Sequence, residues 1–272
     1  MDGRADLHLH TSFSDGALSP PDLLLHARQA GLTVISVTDH DHTGALEEAM
    51  TLGPSLGMEV IPGVELSTNI DNQDLHLLGY FFDLDNSRFQ QYLRMFRDER
   101  HLRAQRIVER LHGLKIPLPF SSVLRRAGTA SIGRPHIASA MVEEKLVGSY
   151  QEAFARYLGN GKPAYERKYQ IHPIDAIKLV SDAGGLTFIA HPADLIDERT
   201  LLELIRCGVD GIEVVHPSNS PERTAYYRGI AEEYFLLTSG GSDFHGGKKS
   251  DDETLGKFWI PNDLVSLMKH QL

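Results

Sequence analysis

Ala5-Asp6-Leu7-His8-Leu9-His10 alternates apolar and polar side chains near the start of the chain. In an extended backbone alternate side chains face the same way, so His8 and His10 point to one side together at the end of a strand over Ala5–His8. A helical pattern follows. Pro20 and Pro21 open it, Leu23, Leu24, Ala27 and Ala30 recur at helical spacing, and Gly31 closes it. Val34–Thr38 then reads as a second strand running into Asp39-His40. A strand–helix–strand unit with ionisable residues at both strand ends predicts parallel pairing, in a βα barrel or a doubly wound sheet.

The same alternation continues outward. Further strands are expected over Glu59–Pro62, Leu75–Phe81, Leu186–Ala190, Gly211–Val215 and Phe235–Ser239. Amphipathic stretches lie at Ala45–Leu56, Pro173–Ala183, Arg199–Cys207 and Pro221–Glu233. Residues 88–170 break the rhythm and hold no convincing strand. Phe89, Tyr92, Leu93, Phe96, Ile107, Val108 and Leu111 fall largely on one helical face. The expected organisation is a barrel built from 1–87 and 171–272, with a helical insertion over 88–170 between the fourth and fifth strands.

Net charge is −10, unevenly spread. Residues 88–170 carry 16 Lys/Arg and 7 Asp/Glu, a net of +9, against −19 elsewhere. Such sign asymmetry suggests an anionic ligand, and the insertion reads as its cap. The plainer reading makes Arg94, Arg97, Arg103, Arg106 and Arg110 the solvated face of a helix. With 272 residues and 41% hydrophobic content, the chain can bury a core without disulfides, which excludes disordered, collagen-like and coiled-coil classes. Cys207 is the one cysteine, so thiolate zinc sites are out and a reducing compartment is favoured. No secretion-signal pattern and no run of 18 apolar residues occurs, so the expectation is a cytoplasmic protein without a membrane partner.

The chemistry lies where His and Asp residues sit. Asp15 follows the first pair within Ser14-Asp15-Gly16, and Thr38-Asp39-His40 ends the second strand. The third runs into Gly63-Val64-Glu65-Leu66-Ser67, and the fourth carries His76. The fifth ends in Ala190-His191-Pro192, and the seventh leads into Ser242-Asp243-Phe244-His245. Each piece alone reads as readily as satisfied histidines or solvated acids. Together, six of seven strands would deliver an ionisable group to the mouth where barrel strands end. Packing these groups uncompensated is costly, whereas divalent cations remove the cost. Imidazole with carboxylate suits zinc, manganese or iron rather than calcium or magnesium. His42 and His216 adjoin these motifs as weaker candidates for substrate contact. His26, His101, His112, His172 and His270 read as ordinary, Cys207 as packing, and Trp259 as a core or barrel-closing residue.

The ordered set HxHTxxSDG, TDHDHTG, GVELS, central His76, AHP and SDFH resembles the PHP family, named from its polymerase and histidinol phosphatase members. The resemblance spans residues 6 to 245 and implies a distorted seven-stranded (β/α)7 barrel, of α/β class, with three divalent ions. It implies a first ion on His8, His10, Glu65 and Asp243, and a second on Glu65, His76 and His191. A third would sit on Asp15, His40 and His245. Manganese is favoured over iron or zinc. Glu65, Asp39 and His191 are the expected catalytic residues, although Asp39 could ligate, orient His40 or move a proton. The implied activity is phosphoester hydrolysis on a 3′,5′-nucleoside bisphosphate or the 5′ end of a short oligonucleotide, releasing phosphate. Long duplex DNA is not an expected partner. The alternatives are a histidinol-phosphate-type phosphatase, an amidohydrolase, or a non-catalytic nucleic-acid-binding module.

Two motifs stand out in the insertion, Ser131-Ile132-Gly133-Arg134-Pro135-His136 and Gly159-Asn160-Gly161-Lys162. Guanidinium forks match phosphate oxygens, Lys adds a point charge, and Gly lets backbone approach a ligand. Similar positions line the substrate cleft in insertion-bearing relatives, so Arg134, His136 and Lys162 are expected to bind phosphate.

Overall fold

The computed structural model describes residues 3–71, 73–193, 196–247 and 251–272. It divides into two compact units, Met1–Gln90 with Gln170–Leu272, and Gln91–Tyr169.

The first unit is an α/β barrel whose sheet nearly closes. Strand β1 (Arg4–Leu9) is followed by α1 (Pro20–Gln29), β2 (Val34–Val37), α2 (Leu46–Leu52), β3 (Glu59–Ile70) and β4 (Gln73–Tyr80). Ser19 caps α1 by accepting from the Asp22 amide, and Gly31 beyond its end adopts a φ of 82°, a conformation that glycine takes without strain. A long helix α3 (Ser87–Gly113) leads into the second unit's α4 (Phe120–Ala127), α5 (Arg134–Glu143) and α6 (Tyr150–Ala153). The chain then returns through α7 (Pro173–Asp182), β5 (Leu186–Ile189), α8 (Glu198–Arg206), β6 (Gly211–Val215), α9 (Pro221–Glu233) and β7 (Leu237–Gly240). It ends in a two-residue β8 (Ile260–Pro261) and α10 (Asn262–Lys269). Among the described residues no helix is long and apolar enough to cross a membrane.

The strands lie in the order β7-β6-β5-β4-β3-β2-β1-β8. Beyond β7, Phe244 bridges back to Leu9, and its carbonyl accepts from the His10 amide at 3.0 Å. Gly241 makes this closure possible. A Cβ there would lie 2.5 Å from both the Cβ and the backbone nitrogen of His8. Gly241→Ala should therefore overpack the seam and cost about 1–3 kcal/mol. A urea midpoint equal to wild type would contradict that.

Two expectations need correcting. Among the described residues the sheet has eight strands rather than seven, because Ile260–Pro261 pairs antiparallel with Arg4–Ala5. Pairing is also not parallel throughout. β3 continues through Glu65 to Ile70 and folds back as a hairpin, with Gly63 opposite Tyr80 and Ile70 opposite Gln73. β4 is antiparallel to β5 as well. At the turn Asp71, a residue type that tolerates the left-handed region, holds a φ of 49°.

Each unit buries an apolar core. Ala5, Leu7, Val34, Ile61, Leu78, Tyr80 and Phe188 pack inside the barrel. Ile107, Leu111, Leu118, Val123, Ile137 and Met141 pack in the helical unit. There α3 is not simply solvated on its basic side. Arg100 and Arg103 are 7% and 5% exposed, and Glu166 gathers Arg106 at 3.1 Å and Arg110 at 2.8 Å, while its carbonyl takes Arg103 Nε at 2.9 Å.

Candidate active site

Glu65 is the hub of the barrel's ionisable cluster. Its Oε2 lies 3.4 Å from His8 Nε2, 3.3 Å from His10 Nε2 and 3.0 Å from His40 Nδ1. Its Oε1 lies 2.6 Å from His76 Nδ1 and 2.9 Å from His191 Nε2. Asp243 Oδ1 faces the same pair as Oε2, at 3.3 Å from His8 Nε2 and 3.1 Å from His10 Nε2. Asp15 Oδ1 is 3.2 Å from His245 Nε2 and 3.9 Å from His40 Nε2.

These side chains arrive by different routes. His8 belongs to β1, and His10 lies just past its end. Glu65 sits midway along β3, beyond the run expected from the sequence. His76 is opposite Ser67 in the hairpin, so it joins the cluster from the first half of a strand that runs backwards. Asp15 comes from a turn in which Ser14 and Gly16 amides both donate to the Thr11 carbonyl. A Cβ at Gly16 would sit 2.5 Å from the His10 carbonyl oxygen, which explains the glycine after Asp15. His191 and Asp243 hold φ values of 28° and 51°. Non-glycine residues rarely adopt that left-handed region, and strain of this kind concentrates at functional sites.

The spacing fits bound cations. Two ligand atoms each about 2.1 Å from one ion are about 3.0 Å apart at a right angle and about 3.4 Å at the tetrahedral angle. The His8–His10–Glu65–Asp243 distances of 3.1–3.4 Å fall in that range. His10 Nε2 and His40 Nδ1 are buried without a well-formed hydrogen bond, as lone pairs aimed at an ion would be. Among the described residues four ion-sized groupings result: His8, His10, Glu65 and Asp243; His40, Glu65 and His76; His10, Asp15, His40 and His245; and His8, Glu213 and His216.

Electrostatics agree. Burial alone would keep Glu65 neutral, yet His40, His76 and His8 hold its carboxyl well below the usual range. Burial works against charge on His10, but Asp243 and Glu65 carry it up to about 9. Burial holds His40 well below the ordinary imidazole value, against the pull of Glu65 and Asp15. Without a cation the carboxylates draw protons onto neighbouring rings; divalent charge would supply the same compensation.

Asp39 stands apart from the cluster. Its Oδ1 accepts from the Thr11 amide at 2.8 Å and Ser14 Oγ at 2.5 Å, and its Oδ2 from Thr11 Oγ1 at 2.5 Å. Both oxygens are engaged by the loop that carries Asp15. That geometry ties Asp39 to the loop that carries Asp15. His42 Nδ1 accepts from the Gly44 amide at 2.8 Å, with its ring against Phe13. His26 and His270 bond carbonyls of their own helices, and His112 bonds the Leu118 carbonyl.

His216 is 6% exposed and closer to the site than expected. The Ser218 amide donates to its Nδ1 at 3.0 Å, so the ring proton sits on Nε2. That nitrogen faces Asp243 Oδ2 at 3.6 Å as a donor and has no lone pair for a metal. Glu213 belongs to none of the motifs above. It lies fully buried in β6, 2.9 Å from His8 Nδ1. Its signal was a lone acid inside the apolar run Gly211–Val215, since Glu is rarely buried without a partner. Asp251 belongs to none of them either; it accepts from the His245 amide. A cavity of about 160 Å³ opens beside His76 and His191, lined also by Asp74, Leu75, Ala190 and Ile196.

The helical unit gathers its own set. Arg134 and His136 occupy the first turn of α5. Arg134 Nη1 donates to the Leu158 carbonyl at 3.1 Å and to Asn160 Oδ1 at 2.9 Å. Its guanidinium carbon lies 5.5 Å from the centre of the Tyr165 ring and 5.9 Å from that of Phe154. His136 Nδ1 accepts from the Gly133 amide at 3.0 Å, leaving Nε2–H as its donor. Lys162 is exposed in the same loop as Asn160.

Comparison with known proteins agrees with this geometry. A PHP domain model matches residues 6–157. The chain is 32% identical to the 5′-3′ exoribonuclease Rnm of Escherichia coli, covering 94% of this chain and 89% of the relative. It is also 32% identical to a 3′,5′-nucleoside bisphosphate phosphatase of Chromobacterium violaceum, covering 88% and 86%. A crystal structure from Bifidobacterium adolescentis, described as a candidate metal-dependent phosphoesterase, superposes with a TM-score of 0.89 at 32% identity, covering 97% of this chain and 94% of the other. The chain belongs to the PHP family of metal-dependent phosphoesterases.

Proposed function

We propose that this phosphoesterase acts on small nucleotides, either a nucleoside 3′,5′-bisphosphate or the 5′ end of a short oligonucleotide, with phosphate as product. The observation that carries the metal-centre reading is the ligand spacing around Glu65 and Asp243. The proposed centre holds three divalent ions, manganese favoured over iron or zinc. The first uses His8, His10, Glu65 and Asp243, the second Glu65, His76 and His191, and the third Asp15, His40 and His245. When bound, such ions lower the pKa of a water and offset charge on the transferring phosphoryl group. Glu65 places its two oxygens toward separate groups of imidazoles, which suits a bridging ligand. His191 reaches Glu65 from the rim of the small cavity. Asp39 serves by holding the Thr11–Ser14 loop, and through it Asp15. All nine proposed ligands are present, which disfavours a non-catalytic module. The lone cysteine suits a cytoplasmic setting.

For the substrate, we assign Arg134, His136 and Lys162 to a phosphate other than the one cleaved. Arg134 is held in place through Nη1 while, among the described residues, its Nε and Nη2 make no hydrogen bond, which is the form of a preorganised anion site. A +9 segment gives a polyanion a local attraction that the −10 chain as a whole would not. Histidinol phosphate, a small cationic ester, gives no reason for that charge.

The test is phosphate release from a nucleoside 3′,5′-bisphosphate, a 5′-phosphorylated short RNA and histidinol phosphate, using protein purified without chelator. Turnover should favour one of the first two by at least tenfold over histidinol phosphate. Equal rates on all three, or release of amine rather than phosphate from an amide panel, would reject the reading.

A further inference from the structure

Strand β6 contributes none of the nine proposed ligands, yet it carries Glu213, fully buried and in register with Ser239 of β7. Its two oxygens have separate partners. Oε1 lies 2.9 Å from His8 Nδ1, and Oε2 accepts from the His191 amide at 2.6 Å. An ionised carboxylate has no proton to give, so the first contact puts the ring proton of neutral His8 on Nδ1. The lone pair is then on Nε2, the nitrogen facing Glu65 and Asp243. The second contact holds residue 191 in its left-handed backbone conformation, from which the side chain reaches Glu65. Asn219 braces the same turn. Its Nδ2 donates to the Val214 carbonyl at 3.0 Å, and its Oδ1 accepts from the Ala193 amide at 3.1 Å.

We propose that Glu213 is the positioning residue of the metal centre: it selects which nitrogen of His8 can ligate, and it sets the backbone that delivers His191. This rests on the metal-centre reading above. Partners of this kind behind ligating histidines commonly change metal affinity by about 10–100-fold when removed. Glu213→Gln is nearly isosteric but has one acceptor oxygen for two N–H donors. If its amide group turns to His8, the ring must accept on Nδ1 and carry its proton on Nε2, which abolishes the ligating lone pair. If it turns to the His191 amide, two donors face each other and the turn is displaced.

The experiment titrates metal-free wild type and Glu213→Gln with zinc alone, against a competing chelator, alongside urea unfolding of both metal-free proteins. The expected result is about a 10–100-fold loss of affinity at one or two ions. At least one ion should bind as in wild type, because the side-chain hydrogen bonds of Glu213 reach His8 and the His191 amide, members of the first and second ligand sets. The metal-free urea midpoint should stay close to wild type, and excess zinc or manganese should restore turnover. Unchanged affinity for every ion overturns the proposal, as does uniform loss of all ions with a collapsed urea midpoint. A second measurement uses wild type alone. In zinc-loaded protein labelled with ¹⁵N-histidine, His8 should show its proton on Nδ1; a proton on Nε2 overturns the proposal even if the variant fails to fold. Wild type that binds no ion rejects this inference and the metal centre together. A selective affinity loss with an unexpected substrate profile supports this inference and rejects only the substrate reading.

Discussion

Glu65→Gln should retain fewer ions per chain than wild type and lose turnover on every phosphate ester. Five imidazole nitrogens lie 2.6–3.4 Å from its two oxygens. The change removes the negative charge they share and turns an amide N–H toward nitrogens that need to offer lone pairs. Metal assistance to phosphoryl transfer is worth several kcal/mol, at about 1.4 kcal/mol per decade, so roughly three decades or more in kcat/KM should vanish. Asp243→Ala should follow the same course, since its Oδ1 shares the first grouping. His26→Ala is the control, its ring bonding the Asp22 carbonyl on the exposed face of α1. Metal analysis by mass spectrometry beside kinetics decides the matter. Glu65→Gln with wild-type metal content and more than a tenth of wild-type turnover would sink the site assignment.

Arg134→Ala should separate substrates by how many phosphates they carry. If Arg134 and Lys162 hold a phosphate that is not cleaved, a bisphosphate or a 5′-phosphorylated short RNA should suffer most. A charge-assisted hydrogen bond contributes about 1.5–3 kcal/mol, or roughly one to two decades in kcat/KM. The minimal ester p-nitrophenyl phosphate should lose much less, because the barrel residues would still hold its single phosphate. Losing Arg134 also removes its contacts to Leu158 and Asn160, so the urea midpoint is measured in parallel. Equal losses on all three substrates would mean that Arg134 serves the reacting phosphate or the fold. The wild-type ratio between bisphosphate and RNA then chooses between the two proposed substrates.

Much of this site is legible in the chain because its motifs are local. His8 and His10 face together through strand alternation alone, and Ser14-Asp15-Gly16 encodes its own tight turn. His76 could be named from sequence, but not its route into the cluster. A strand expected to run parallel would present it from the wrong half, and only the antiparallel hairpin with β3 brings it beside Glu65. Asp39 shows the reverse case. Its place inside TDH suggested chemistry, whereas packing turns its carboxylate onto Thr11 and Ser14, a partnership 25 to 28 residues away in sequence.

From the sequence alone came the α/β class, the helical and basic character of 88–170, the family, and nine of the residues that converge, Glu213 and Asp251 excepted. These follow from periodicity, composition and ordered motifs, all properties of neighbouring residues. The tertiary structure decided the reversed strand, the closure of β1 onto the segment after β7 through Gly241, and the burial of Arg100 and Arg103. It also set the partners of Glu213 and His216. The physical reason is common to all of them: hydrogen-bond partners and buried surface are set between segments far apart in the chain. Glu213 and His8 are separated by 205 positions, and no local pattern encodes the 2.9 Å between them.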